Sequence, residues 1–108
     1  MINVVFKKKS NLFVSFQIKG HADFNDEGLD IVCSAVSSVS QTILIGILEV
    51  LEISASYNIE EGNLSMSLEE KSIEDIEKCQ VLLKTMNLGL KSMEISYGKY
   101  IKILEEEV

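Results

Sequence analysis

Two residue types in this 108-residue chain can carry covalent chemistry: its one histidine, His21, and its two cysteines, Cys33 and Cys79. His21 and Cys33 lie twelve positions apart. Between them runs a polar loop over residues 22–28, with Asp23, Asn25, Asp26 and Glu27, closed by Gly28. A small-residue apolar run then carries Cys33. A histidine beside a loop and a cysteine at a helix start is a layout for a nucleophilic thiol and its base. Asp30 reads as the N-cap of that helix, which puts Cys33 at about the third helical position. Backbone N–H groups are unpaired there and the helix dipole is positive, so the thiolate is favoured and the cysteine pKa lowered. The same N–H groups are candidate oxyanion donors. The plain alternative is a surface histidine and a small buried hydrophobe, which is how most free cysteines behave.

The elements that would position these residues follow from periodicity. Residues 2–8 carry Val4, Val5 and Phe6 and read as a strand; Lys9-Ser10-Asn11 reads as a turn. Residues 12–19 alternate, with Leu12, Val14, Phe16 and Ile18 on one face and Phe13, Ser15, Gln17 and Lys19 on the other. That is a half-buried strand forming a hairpin with the first, and His21 follows its end. The loop 22–28 is expected to be a mobile segment that orders on substrate, with Gly28 supplying backbone angles other residues avoid. The helix after it runs to about Leu51. Its first half is small, with Ser34, Ala35, Ser37, Ser38 and Ser40, and its second half, ILIGILEVLEI, is apolar nearly all round. Such a helix is normally buried on every side, and a subunit interface is one way to cover the last of them.

Residues 55–60 and 64–68 read as a second hairpin around Glu61-Gly62-Asn63. Ser72 and Asp75 resemble a capping box. The helix it starts has an apolar stripe at Ile76, Cys79, Leu83, Met86, Leu90, Met93 and Tyr97, which makes Cys79 a core residue. Gly98 ends that helix. Residues 100–104 read as a final short strand and Glu105-Glu106-Glu107 as a solvated tail. The fold class is therefore α+β: a single domain over residues 1–108, ordered β-β-α-β-β-α-β, with a mostly antiparallel sheet and two helices.

Composition narrows the function. Seventeen acids against ten bases give a net charge of −7, so direct nucleic-acid binding is not expected. A basic protein partner suits the charge. The charges of the N-terminal segment follow its apolar residues, unlike a signal peptide. The longest uninterrupted apolar run, near residues 43–48, is far short of a membrane span. A cytoplasmic protein without membrane association is expected, with both cysteines as free thiols. One histidine and two cysteines do not supply a tetrahedral metal site, and no glycine-rich phosphate loop is present, so no cofactor is expected.

The segment Gly20-His21-Ala22, then Gly28, then Asp30-Ile31-Val32-Cys33-Ser34-Ala35-Val36-Ser37 resembles the ribosomal-processing cysteine protease family of bacteria. The family pattern is a GHA triplet, a short variable loop, a glycine and D-I-V-C-A-A-V-S; Ser34 stands where alanine is usual. The length and the C-terminal YGKYIKI segment also match, so the resemblance covers essentially the whole chain. It implies the same α+β architecture, a homodimer, and a Cys–His pair of Cys33 and His21 supported by Gly20, Gly28, Asp30 and Ser37. The implied substrate is a large-subunit ribosomal protein whose N-terminal extension is removed for ribosome assembly and function. The residues alone leave the third catalytic member open among Asp23, Asp26, Asp30 and Gln41. Two other functions stay in competition: a non-enzymatic ribosome-associated binding module, and another thiol chemistry such as redox sensing or acyl transfer.

Overall fold

A computed structural model of the chain describes residues 1–20 and 27–108; residues 21–26 and the side chain of Glu27 lie outside the described residues. Five strands form one sheet: β1 (Ile2–Lys9), β2 (Leu12–Lys19), β3 (Ser56–Glu60), β4 (Asn63–Ser67) and β5 (Ile101–Glu107), in the order β3-β4-β2-β1-β5. All neighbours are antiparallel except β1 and β5, which run parallel. Among the described residues, three α-helices accompany the sheet: α1 (Glu27–Ile45), α2 (Ile73–Lys78) and α3 (Gln80–Tyr97). The α+β reading and the strand order along the chain hold.

The first hairpin turns through Ser10 and Asn11, both at positive φ (52° and 66°), the conformation a two-residue hairpin with right-handed strand twist requires. Beyond it, register places residues in rows across the sheet. Ile18 faces Val4 on one side and Leu64 on the other, and Val4 faces Ile103. Phe16 faces Phe6 and Met66, and Phe6 faces Glu105. These rows form the face that packs on the helices, with Val4, Phe6, Phe16 and Met66 all buried.

The strict alternation expected in β2 fails at one place. Lys7 pairs with Ser15 but Lys8 pairs with Phe13, so Val14 is an extra residue in a bulge. A bulge re-aims the chain, and Phe13 and Val14 are consequently both buried. The Phe13 ring meets Phe6 edge-on at 5.4 Å. Its backbone is satisfied by a side chain rather than a strand: Phe13 N–H donates to Gln80 Oε1, and Gln80 Nε2 donates to Phe13 O, each at 2.9 Å.

Helix α1 buries Leu29, Val32, Val36, Ile43 and Leu44, a stripe at steps of three and four. Buried Ser40 is satisfied within the helix, its Oγ donating to Val36 O at 2.6 Å. Gly46–Val50 continues the helix as a π-helical turn, closed by Leu51 N–H donating to Gly46 O at 2.9 Å. The helix is not buried on every side: Ile31, Ile45 and Val50 are exposed. Although the uninterrupted apolar run is short, the stretch Gly28–Val50 spans 23 residues and reaches a mean hydropathy of 1.9 over an 18-residue window, long and apolar enough to cross a bilayer. In this fold its apolar stripe packs against the sheet.

The C-terminal helix is two helices, not one. Ser72 caps α2 by accepting a bond from Asp75 N–H at 3.1 Å, and the chain breaks step at Cys79 before α3. The break keeps the expected stripe in the core, with Ile76, Cys79, Leu83, Met86 and Leu90 buried; Tyr97 at its end is exposed. Helix α3 ends at Gly98 in a right-handed conformation, φ −58°. Gly98 is therefore favoured by space and not by a left-handed turn, since a Cβ there would stand 2.9 Å from Glu94 O.

The supposed acidic tail is strand. β5 runs to Glu107, and Val108 N–H donates to Lys8 O. Parallel pairing with β1 puts Glu105 on the helix-facing side, opposite Phe6. There it bonds Lys8 at 3.1 Å and Lys91 of α3, and hydrogen bonds from both lysines hold its pKa below the usual carboxylate range. Periodicity could not supply this partnership, because the lysines sit 97 and 14 residues away along the chain.

Gln80 gives the clearest test of this packing. Gln80→Leu should cost about 2–4 kcal/mol, because it leaves two backbone groups of Phe13 without partners in a buried bulge. Urea titration measures this. A loss under about 0.5 kcal/mol would mean that the bulge satisfies its own backbone.

Candidate active site

Cys33 stands at the wall of a cleft of about 440 Å3 between α1 and the β3–β4 hairpin. The cleft is lined by Ile2, Ile18, Ile59 and Leu64 of the sheet, by Gly20, and by the hairpin turn around Glu61 and Gly62. From α1 come Cys33, Val36, Ser37 and Gln41. Cys33, Ser37 and Gln41 are spaced by four residues, so they rise one above another on one helix face. Gln41 Nε2 donates to Ser37 Oγ at 3.0 Å, tying the polar part of that stripe together. The remaining lining sets five aliphatic side chains, Ile2, Ile18, Val36, Ile59 and Leu64, beside the polar Glu60, Glu61 and Asn63.

The thiol itself differs from expectation. Helix α1 begins at Glu27, so Asp30 lies inside the first turn and is no N-cap, and Cys33 is the seventh helical residue, not the third. Its own N–H falls within the helix ladder, six residues or about 9 Å along the axis from Glu27. Burial pushes the Cys33 thiol pKa up, the Asp30 carboxylate one turn earlier pushes it further, and the chain's N-terminal ammonium opposes them. Among the described residues, the surroundings of Cys33 favour the thiol over the thiolate. Cys79 is fully buried on the α2–α3 side and pushed up to about 11 by burial and by Asp75.

The other sequence-derived residues fall as follows. Gly20 lines the cleft at φ 150°, and a Cβ there would stand 2.7 Å from Met1 O and 2.9 Å from Ile2 Cα. Both space and backbone angle require glycine. Gly20 N–H also donates to Gly62 O at 3.0 Å, which pins the approach to His21 onto the hairpin turn. Gly28 is helical, so it is not there for unusual angles; the Tyr100 phenol fills the place of a Cβ, with its oxygen 2.5 Å away. His21, Asp23 and Asp26 lie outside the described residues, as do residues 22–26 of the loop expected to be mobile; its last two residues, Glu27 and Gly28, are helix instead. Gln41 was a candidate to orient His21; its amide is engaged by Ser37. Among the described residues, no group of three or more His, Cys, Asp or Glu side chains assembles as a metal site.

Sequence reasoning missed the floor of the cleft. Ile2, Ile59 and Leu64 read as ordinary strand residues, and only the strand order brings β4 beside β2 and below α1. Tyr100 gave a signal only as part of a C-terminal motif, without a role.

The sign of the Asp30 effect can be tested directly. Removing a negative charge beside a thiol lowers its pKa, so Asp30→Asn should shift the pH profile of Cys33 alkylation to lower pH. More thiolate is then present at neutral pH, and modification there is faster. An unshifted or upward-shifted profile would show that Asp30 does not act on the thiol through its charge.

A family model described as cysteine protease Prp matches residues 1–102. No curated protein matches the chain. Among solved structures, SMU.848 from Streptococcus mutans is similar over 100% of this chain and 96% of its own, with a TM-score of 0.90 at 23% identity. The ribosomal processing protease Prp from S. aureus, in complex with a substrate peptide, is similar over 98% of this chain and 100% of its own, with a TM-score of 0.77 at 22% identity. The same S. aureus protein with a covalently linked product peptide gives a TM-score of 0.75 at 23% identity over 98% and 100% of the two chains. With this five-stranded sheet, this cleft and a family match over 102 of its 108 residues, the chain belongs to the Prp cysteine protease family.

Proposed function

We propose that the chain hydrolyses a peptide bond with Cys33 as nucleophile and His21 as general base. Cys33 gives its proton to the His21 imidazole, and the thiolate attacks the scissile carbonyl carbon. The C–N bond breaks as the imidazolium returns the proton to the leaving amine, and water then hydrolyses the thioester with the same base. The observation that carries this reading is the placement of Cys33 in the wall of a cleft in a chain of this family. A thiol whose pKa is pushed up makes the base necessary, and His21 is the only histidine the chain offers. Gly20 and Gly28, which bracket the His21 segment, and Asp30 and Ser37 on α1 support the pair.

The substrate we propose is a large-subunit ribosomal protein, from which the enzyme removes an N-terminal extension so that the ribosome can assemble. The S. aureus relative is described as an essential ribosomal processing protease and was crystallised with a substrate peptide. The net charge of −7 favours a basic partner of that kind. The reaction would take place in the cytoplasm. A homodimer completes the proposal: Ile31, Ile45 and Val50 of the α1 segment are 63%, 52% and 77% exposed, a set of large aliphatic side chains that a second copy would cover.

Incubation with ribosomal proteins from the same source, followed by intact-mass analysis, tests the reaction. One large-subunit protein should lose an N-terminal segment. Cys33→Ser should abolish the loss while Cys79→Ser retains it, and His21→Ala should slow it by roughly 100-fold or more. Full activity of Cys33→Ser would remove the nucleophile. Rapid, low-pH alkylation of Cys33 without any cleavage would favour another thiol chemistry, and neither would favour the binding module. Light scattering at micromolar concentration should give twice the 12.1 kDa chain mass; the single mass would end the dimer claim.

A further inference from the structure

The segment that carries His21 is bracketed by Gly20 and Gly28, and the two brackets are joined through one residue. On the first side, Met1 O and Ile2 Cα stand where a Gly20 Cβ would be, at 2.7 and 2.9 Å. On the second side, the Tyr100 phenol stands where a Gly28 Cβ would be, with Oη, Cζ and one Cε at 2.5, 2.7 and 2.9 Å. Between the sides, Ile2 N–H donates to Tyr100 O at 2.7 Å. A continuous frame results: Gly20 rests on the start of β1, β1 is bonded to Tyr100 just before β5, and the Tyr100 ring rests on the first turn of α1.

We infer that Tyr100 is a positioning residue for the Cys33–His21 pair, holding both ends of the His21 segment and the start of the Cys33 helix in one frame. This rests on the reading of those two residues as nucleophile and base. Cys33 follows Gly28 by five residues, about 7.5 Å along the helix axis, so a shift of the first turn passes directly to the thiol. Tyr100 is not among the residues that line the cleft, so its effect is on geometry. Gly28 and Tyr100 are a matched pair of shapes: the ring is close because the Cβ is absent. Lys99 Nζ, 5.5 Å from the ring centroid, helps to hold the ring in place.

The experiment compares Tyr100→Phe, Tyr100→Ala, Gly28→Ala and the double variant Gly28→Ala/Tyr100→Ala in the full chain. Three readouts are taken: kcat and KM on a peptide spanning the mapped cleavage site, the pH profile of Cys33 alkylation by iodoacetamide resolved by mass, and Tm. Tyr100→Phe keeps the ring and should behave as wild type. Tyr100→Ala should lower kcat about 10-fold or more, with KM within about twofold, and should displace the alkylation profile. Gly28→Ala should lower kcat because its Cβ meets the ring, and the double variant should recover at least part of that loss. A profile and kcat for Tyr100→Ala equal to wild type would overturn the inference. So would a Gly28→Ala defect that the second substitution does not relieve, and this pair decides the matter even where Tyr100→Ala is poorly folded. Should the wild-type chain cleave no peptide, the hydrolase reading fails by itself; the alkylation profile then still reports whether Tyr100 governs the environment of Cys33.

Discussion

Strand β1 is the constraint on which the rest depends. It lies between β2 and β5 and pairs along its length with both, so its backbone polar groups are satisfied on two sides. Its alternate side chains Ile2, Val4 and Phe6 are buried to 2%, 0% and 0% exposure, each worth roughly 1.5–3 kcal/mol of apolar burial. The helices pack on that row. Because β1 is the first strand and β5 the last, the chain is closed by its ends: the N-terminal residues meet Gly20 and Tyr100 at the margin of the cleft.

Two kinds of force divide the labour in this molecule. Apolar burial fixes which faces meet: the stripe of α1 on the sheet, and the stripe of α2 and α3 beside it. Polar satisfaction then fixes register. Gln80 substitutes for a missing strand partner at the bulge, and Glu105 ties β5 to β1 and α3 through two lysines. A buried polar group without a partner costs about 1–3 kcal/mol, so the buried Gln80–Phe13 bonds reject neighbouring registers, while the partly exposed Glu105 pairs add less.

The site takes its character from the same economy. A cysteine at the very start of a helix would be stabilised as thiolate by unpaired amides. Cys33 sits a turn further in, half-buried and beside Asp30, and those surroundings favour the thiol over the thiolate. The described ends of the segment between β2 and α1 are set by the close contacts of Gly20 with Met1 and Ile2 and of Gly28 with Tyr100.

The sequence by itself determined most of the elements and singled out the candidate residues. Hairpin turns, amphipathic stripes and the Ser72 cap are local, since propensity and periodicity act over a few residues, and Cys33 and His21 could be singled out because the chain has so few alternatives. Tertiary structure decided what depends on distant partners. It placed Val14 in a bulge and turned Phe13 inward. It made strand of Glu105-Glu106-Glu107 by pairing them with β1. It explained Gly28 by a ring seventy-two residues away rather than by a backbone angle. It moved the start of α1 to Glu27 and so reversed the expected shift of the Cys33 thiol. In each case the deciding energy is a contact between segments, and no window of neighbouring residues contains it.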